Sequence, residues 1–380
     1  MTKKESMETD LTRLLKIKYP IMCAGMGYSV TTPDLAAAVS NAGGIGTLAF
    51  IGLSPEGMRM SLKEIKSKLK PGVQYGVDLV FPADPEKNPR ARKTNKDYLK
   101  NDLREVVQVL LDEKVPLLVC AIGVPEKWVT DALHANGTVI MNMVGHPKHV
   151  PKAIEAGVDV ICCQGSEGGG HTGTVASSIL IPMCVDAARG HKNFFGYQIP
   201  IVAAGGLFDG RGLAAALAFG ASGVWMGTRF LLTYEANIER PYRDTLLQSN
   251  LDSTTRSCVY SGRPMRVIKN KYVAEWETRQ SEQDDLIKRG IAPVKWDIKQ
   301  GKYPSSKFPG IVADNGGFEI RRKDDSEAES NFDPQISPML VGQVVGAIRK
   351  LEHAGDLVTR IAQEANEALA NCPRPFSSKL

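Results

Sequence analysis

Eight repeats of one unit constrain this chain more than any single residue does. Between 19 and 230 a short apolar run, a turn and a helix-like stretch follow one another eight times. The strand candidates are YPIMC (19–23), GIGTLAF (44–50), VQYGVDLVF (73–81), PLLVCAI (116–122), TVIMNMV (138–144), VDVICCQ (158–164), IPIVAAG (199–205) and SGVWMGT (222–228). Between them, stretches such as DLAAAVSNA, DLREVVQVLLDE and GRGLAAALAFG carry Ala, Leu and charged residues at helical spacing. Strands that are apolar almost throughout belong to a parallel sheet covered on both faces. Eight β–α units in succession point to an α/β fold closed as a (β/α)8 TIM barrel, ahead of a doubly wound open sheet.

A barrel of this kind places its chemistry at the C-terminal ends of the strands. The chemically interesting residues of this chain cluster there. They are Ala24-Gly25-Met26, Asp78, the stretch from Gln164 to His171, Gly205-Gly206, and Gly227-Thr228. Residues 164–173 read QGSEGGGHTG, half of them glycine, which signals either close approach to the backbone or an unusual turn. After the last two strands IPIVAAGG runs into LFDGRG and SGVWMG into TRF. Exposed backbone N–H groups there, with a helix starting near Asp209, describe a phosphate cradle at the usual barrel position. The competing reading is that Gly205, Gly206 and Gly227 only permit tight turns. Neither a GxGxxG after the first strand nor a GxxxxGK[ST] is present, so the dinucleotide and P-loop readings are weak.

His171 stands apart from the other five histidines because it alone lies on a glycine-rich loop at a strand end. Near neutral pH an imidazole can take a proton from a weakly acidic carbon or, when charged, steady an anion. Its alternative is a histidine that hydrogen-bonds its own loop. Glu167 reads better as a carboxylate that braces the loop than as a base. Of the seven cysteines none forms a CxxC pair, and three lie in apolar strands, so buried reduced thiols are expected. No Cys/His cluster has the spacing of metal ligands, and no metal is expected.

The barrel is expected over 14–248. Residues 249–336 are charged and rich in turn formers, as in NKYVAEWETRQSEQDD and GKYPSSKFPGIVADNGG, and read as an insertion or appended subdomain. Residues 337–371 return to helical periodicity and are expected to form C-terminal helices packed on the barrel. Residues 372–380 form an exposed tail ending in Ser378-Lys379-Leu380, which in a eukaryote is the address read by the peroxisomal import receptor. The formal charge is only +5, with no basic block interleaved with aromatics, so no nucleic-acid partner is expected. No apolar run is long enough to span a membrane, and MTKKESMETD lacks a signal-peptide core. The oligomeric state is not legible in the sequence.

Taken in order, PIMCAGM, GVDL, QGSEGGGHTG, IVAAGGLFDGRG and GVWMGTRFL resemble the nitronate monooxygenase family, formerly the 2-nitropropane dioxygenases. The resemblance covers roughly 14–232 and, more weakly, the C-terminal helices. It implies an FMN-dependent barrel that oxidises alkyl nitronates with O2 to carbonyl compounds and nitrite. It implies further that Ala24, Gly25 and Met26 line the flavin ring, and that Gln164 and Gly165 lie against it. Gly205, Gly206, Gly227 and Thr228 would hold the phosphate, and His171 would be the catalytic or substrate-binding histidine. Asp78 departs from the pattern, since family members commonly carry Asn there. An acid can still accept a hydrogen bond from the cofactor, but it adds negative charge beside an anionic substrate. NAD(P)H-dependent flavin reductases and CoA-thioester reductases or dehydrogenases are similar in scaffold, and GGGHTG followed by TVASSILIP looks closer to the thioester branch. The basic stretch 262–271 (GRPMRVIKNK) either meets a CoA phosphate or forms a solvated face. A flavin-binding barrel without catalysis is the remaining reading. The IMP dehydrogenases, whose phosphate pattern is similar, need a nucleophilic Cys after the sixth strand. Here Cys162 and Cys163 precede that loop, one facing the barrel interior and one the helices.

Overall fold

A computed structural model describes residues 7–27, 30–81, 93–94, 103–308 and 332–372. Part of the 249–336 segment and the Ser378-Lys379-Leu380 tail lie outside the described residues. Eight parallel strands close into a barrel: β1 (Ile21–Cys23), β2 (Ile45–Ala49), β3 (Gly76–Val80), β4 (Leu117–Ala121), β5 (Val139–Val144), β6 (Val160–Gln164), β8 (Ile201–Ala204) and β9 (Gly223–Met226). Strand β9 returns to β1 with Met22 opposite Trp225 and Cys23 opposite Met226. Every expected strand run is present, shortened at its ends where the chain turns.

Side chains alternate along each strand, as the pleat requires. Met22, Ile45, Val119, Met141, Cys162, Val202 and Trp225 fill the inside of the barrel. Ile21, Leu48, Val77, Cys120, Ile161 and Cys163 pack outward under the helices. Cys162 is therefore the inward cysteine and Cys163 the outward one. The N-terminal end is plugged by the helix Asp10–Leu15, whose Leu11, Leu14 and Leu15 join the inner cluster. That helix starts at a reciprocal cap. Thr12 N–H donates to Thr9 Oγ1 (3.2 Å) and Thr9 N–H donates to Thr12 Oγ1 (2.8 Å).

The helix Ala354–Ala370 packs against both Gly210–Ala218 and Pro33–Asn41, so it completes the ring of barrel helices. The eighth helix therefore comes from the far end of the chain, and everything from Gly227 to His353 is inserted in the last βα connection. Within 337–371 only this stretch is α-helical. Before it, Met339 to Gly342 runs extended into a single 3-10 turn, Gln343–Ala347. Pro338, Gly342 and Gly346 interrupt the helical pattern there.

The insertion has a core of its own. Strands β10 (Thr254–Ser257) and β11 (Met265–Ile268) form an antiparallel hairpin, and β11 pairs in turn with β7 (Gly170–His171) from the glycine-rich loop. Around it, Tyr260, Tyr272, Trp276 and Phe308 pack together. Tyr272 Oη and Trp276 Nε1 both donate to Asp297 Oδ2, at 3.0 and 2.8 Å. Tyr272, Val273 and Trp276 share one face of a helix whose other faces are charged, so average composition conceals this core.

Candidate active site

The inward face of β3 carries Asp78, which is 6% exposed and whose Oδ1 has no hydrogen-bond partner among the described residues. Burial holds its carboxyl well above the usual carboxylate range. The backbone of Gly25 passes directly against it, since a Cβ on Gly25 would lie 2.6 Å from Asp78 Cβ. Ala24 N–H donates to Met226 O (2.9 Å). Thr31 Oγ1 donates to Ala24 O (3.0 Å) and accepts from Met26 N–H (2.9 Å). The segment from Ala24 to Met26 is thus pinned across the barrel mouth, over a buried carboxyl oxygen that has no partner among the described residues.

The glycine-rich loop is braced from inside. Glu167 accepts from Ser177 N–H at 3.1 Å and from Ser177 Oγ at 3.1 Å, capping the helix Ser177–Ala188 whose own N-cap residue, Ala176, offers no side-chain acceptor. Gln164 Nε2 donates to His171 O (3.0 Å) and Gly169 O (3.3 Å), so this side chain staples the loop. Gly168 leaves room for it, as a Cβ there would lie 2.8 Å from Gln164 Nε2. Gly165 and Gly205 pack on one another: a Cβ on Gly205, at φ +90°, would lie 2.9 Å from Gly165 N. Close packing therefore accounts for these glycines.

Gly227 is different. Its nearest contact for a Cβ is an ordinary 3.5 Å to Ala24 Cβ, and its φ is −103°. Among the described residues neither packing nor conformation requires glycine there, which leaves a bare backbone facing the mouth. Beside it, the buried Thr228 accepts from Gly342 N–H (2.8 Å) and keeps its hydroxyl proton to donate. Gly206, at φ +76°, turns the neighbouring loop. Gly342 also lies against Glu167 O, to which Gln343 N–H donates (2.9 Å). Residues 341–343 thus form a strap that joins the loops after β6 and β9. Behind the strap a chain of charges links both glycine loops to the eighth helix. Arg229, 2% exposed, pairs with Glu352, which accepts from Arg360 (2.9 and 3.0 Å), which pairs with Glu364. Glu364 Oε2 then accepts from Gly210 N–H (2.9 Å), at the start of the helix that follows Gly205-Gly206.

His171 stands on β7 opposite Met265, half-buried, and its Nε2 lies 3.0 Å from Ser261 Oγ. Ser261 in turn accepts from Arg263 N–H (3.3 Å). The histidine is therefore oriented by a residue of the insertion. No spacing in the sequence could announce Ser261, which lies 90 residues away and becomes a neighbour only because β11 pairs with β7. Cys162 faces inward but is no nucleophile, since burial, and then the carboxyl of Asp78, push its thiol up. Among the described residues no group of three or more His, Cys, Asp or Glu could hold a metal ion, and no helix is long and apolar enough to cross a membrane.

The candidate residues fall into two groups at the strand ends. Ala24, Gly25, Met26, Asp78 and Gly227 meet on one side; Gln164, Gly165, Gly205, Gly206 and the backbone of His171 meet on the other. Thr228 and the strap connect them. A family model described as nitronate monooxygenase matches residues 8–364. A CoA dehydrogenase of Rhodococcus jostii, acting on a hydroxy-methyl-oxo-octahydroindene carboxyl-CoA, is 31% identical over 95% of this chain and 96% of its own. A probable nitronate monooxygenase of Staphylococcus saprophyticus is 33% identical over 74% of this chain and 83% of its own. Among solved structures, FabK from Thermotoga maritima superposes with a TM-score of 0.74 at 25% identity, covering 96% of this chain and 98% of that one. A nitroalkane oxidase from Streptomyces ansochromogenes gives 0.71 at 25% identity, covering 95% and 99%.

Proposed function

The chain belongs to the nitronate monooxygenase family, and from that premise we propose that it is an FMN-dependent enzyme oxidising alkyl nitronates with O2 to carbonyl compounds and nitrite. The observation that carries the reading is the pairing of a buried polar atom without a partner, Asp78 Oδ1, with a glycine, Gly227, that nothing among the described residues requires. Together they fit a flat cofactor with a ring N–H or hydroxyl at one end and an anion at the other. Asp78 would accept a hydrogen bond from it, Gly25 would let it approach, and Thr228 Oγ1 with the bare backbone at Gly206 and Gly227 would hold a phosphate. Bound FMN supplies one- and two-electron oxidation of the substrate and reaction with O2. The chain itself supplies acid–base chemistry. The imidazole of His171 takes the α-proton of a neutral nitroalkane or, protonated, holds the oxygens of the nitronate. Ser261 fixes the ring, and Gln164 fixes the backbone that carries it.

The test is nitrite release from propyl-2-nitronate in air by the yellow protein, with bleaching of its colour when oxygen is excluded. Neither signal would appear if the reading were wrong. A second reading is oxidation or reduction of a CoA thioester, or reduction by NAD(P)H, on the same site. It is favoured by the Rhodococcus relative, whose match spans the insertion that orients His171. Bleaching by an acyl-CoA or by NADH, without nitrite from nitronate, would select it. For a eukaryotic chain we also propose peroxisomal import through Ser378-Lys379-Leu380, and for any other a cytoplasmic place, checked by the location of a fluorescent fusion with and without these residues.

A further inference from the structure

We propose that Arg256 and Arg266 form a phosphate-binding subsite for a nucleotide-bearing ligand, on the glycine-rich loop that carries His171. In the hairpin the two arginines stand directly opposite one another, and Arg266 is in turn opposite Gly170. Like charges placed opposite across a ladder repel, so such a pair is disfavoured unless something neutralises it. Neither makes an ion pair among the described residues, and both are half-buried. Burial, and then the neighbouring Arg256, work against the charge of Arg266, while Glu167 favours it. Glu167 is already committed to capping the helix at Ser177. Glu277, on the same side of the insertion as Thr255, accepts from Thr255 Oγ1 (3.2 Å) and pairs with Lys269 (2.7 Å), and Thr255 alternates to the other face of the strand from Arg256.

The arginines are held in place without being satisfied. Arg256 Nε donates to Thr172 Oγ1 (3.2 Å) and Arg266 Nε donates to Ser166 O (3.0 Å), one on each shoulder of the glycine loop. Arg266 Nη1 donates to Thr254 Oγ1 (3.1 Å). Both Nη groups of Arg256, and Nη2 of Arg266, have no partner among the described residues. Two guanidinium forks anchored through their Nε atoms present a charge that a dianionic phosphate matches in number and in geometry. A nitronate carries one charge and would leave half of it unanswered.

Position adds a second constraint. By strand alternation Arg256, Arg266 and Gly170 share one face of the small sheet, while Met265 and His171 share the other. A ligand reaching both must pass around the edge strand β7 from one face of the sheet to the other. A nucleotide on a flexible arm has the length to do this. The shared chemistry is a nucleotide phosphomonoester, from either an acyl-CoA or a nicotinamide nucleotide. The inference goes beyond nitronate oxidation and rests only on His171 marking the reaction site.

Titration calorimetry of the FMN-loaded protein with 3′,5′-ADP, 2′,5′-ADP and inorganic phosphate tests it. One of the two bisphosphates is expected to bind, in a salt-sensitive way. The first indicates an acyl-CoA and the second a phosphorylated nicotinamide nucleotide. R256Q and R266Q should each weaken binding by about tenfold or more. R256K and R266K, which keep charge but lose the fork, should fall between, and these serve if the glutamine variants do not fold. No heat from either bisphosphate up to about 10 mM with the unaltered protein would overturn the proposal. So would unchanged binding in folded variants, or variants that lose FMN but keep the bisphosphate. Nitrite assays on the same preparations separate the two readings. Nitrite without bisphosphate binding sinks this inference alone, and binding without nitrite sinks the nitronate reading alone.

Discussion

Replacing Gly25 by alanine probes the contact at the centre of the proposed cofactor site. The added Cβ would lie 2.6 Å from Asp78 Cβ, where ordinary contacts begin at 3.4 Å, so it lacks 3.4 − 2.6 = 0.8 Å of room. Asp78 cannot turn away, because the clash is with the atom fixed to the backbone of β3. That backbone is held from both sides, with Asp78 opposite Ala49 and opposite Val119. Over-packing of this size costs about 1–3 kcal/mol. The assay is urea unfolding of FMN-free protein, so that lost cofactor does not enter the difference. Asp78→Gly removes the clashing atom and Asp78→Ala keeps it. G25A combined with D78G should therefore recover about 1–2 kcal/mol relative to additivity, and G25A combined with D78A almost none. The reasoning fails if G25A lies within about 0.5 kcal/mol of the parent, or if D78A rescues as well as D78G.

Three further outcomes are expected. His171→Ala should lower nitrite formation from a nitronate by about 100-fold or more, and Ser261→Ala by a smaller factor, seen as a fall in kcat at constant FMN content. Asp78 makes the FMN-free protein pH-sensitive. Its folded carboxyl is raised, so both states are protonated below the ordinary value of 3.8 and nothing is lost there. As pH rises from that point the unfolded chain releases its proton first, and stability declines until the folded carboxyl ionises. Asp78→Asn should flatten that decline in unfolding curves taken from acid to neutral pH. At the opposite end of the barrel Asp159, fully buried, accepts from Ile140 N–H (2.8 Å) and Phe194 N–H (3.2 Å) and lies 2.9 Å from His134 Nε2. Asp159→Ala strands all three and should cost about 3–5 kcal/mol in urea unfolding; a loss below about 1 kcal/mol would show that the site relaxes.

The barrel was legible because each strand is a short run of apolar residues with turn formers at both ends, and burial on both faces leaves no other use for such a run. The strand-end glycines were legible as a set, but not in their separate reasons. Gly165 and Gly205 serve packing, Gly25 makes way for Asp78, Gly206 turns its loop at φ +76°, and Gly227 meets no such demand among the described residues. Sequence cannot separate these, because the neighbour that decides each case comes from another strand. Strand β7 is two residues long and has no pattern to detect. Its partner β11 begins 94 residues later, 265 − 171, inside a segment whose charge suggests solvent. The strap at 341–343 reads as part of a helix until Gly342 is seen against Thr228 and Glu167.

The placement of the eighth helix bears on the order in which the enzyme is made. Met226 ends the last barrel strand and Ala354 begins the helix that covers it, a separation of 128 residues, 354 − 226. Bringing those ends together costs roughly 2 kcal/mol more chain entropy than an ordinary connection of about ten residues. On the ribosome, a nascent chain that has emerged as far as Gln248 has all eight strands and lacks the cover over the last of them. Glu364, which accepts from the first N–H of the helix after Gly205-Gly206, is missing at that stage too. The first N–H of the helix after Gly205-Gly206 therefore gains its Glu364 acceptor only once Ala354–Ala370 has been made and has packed against that helix.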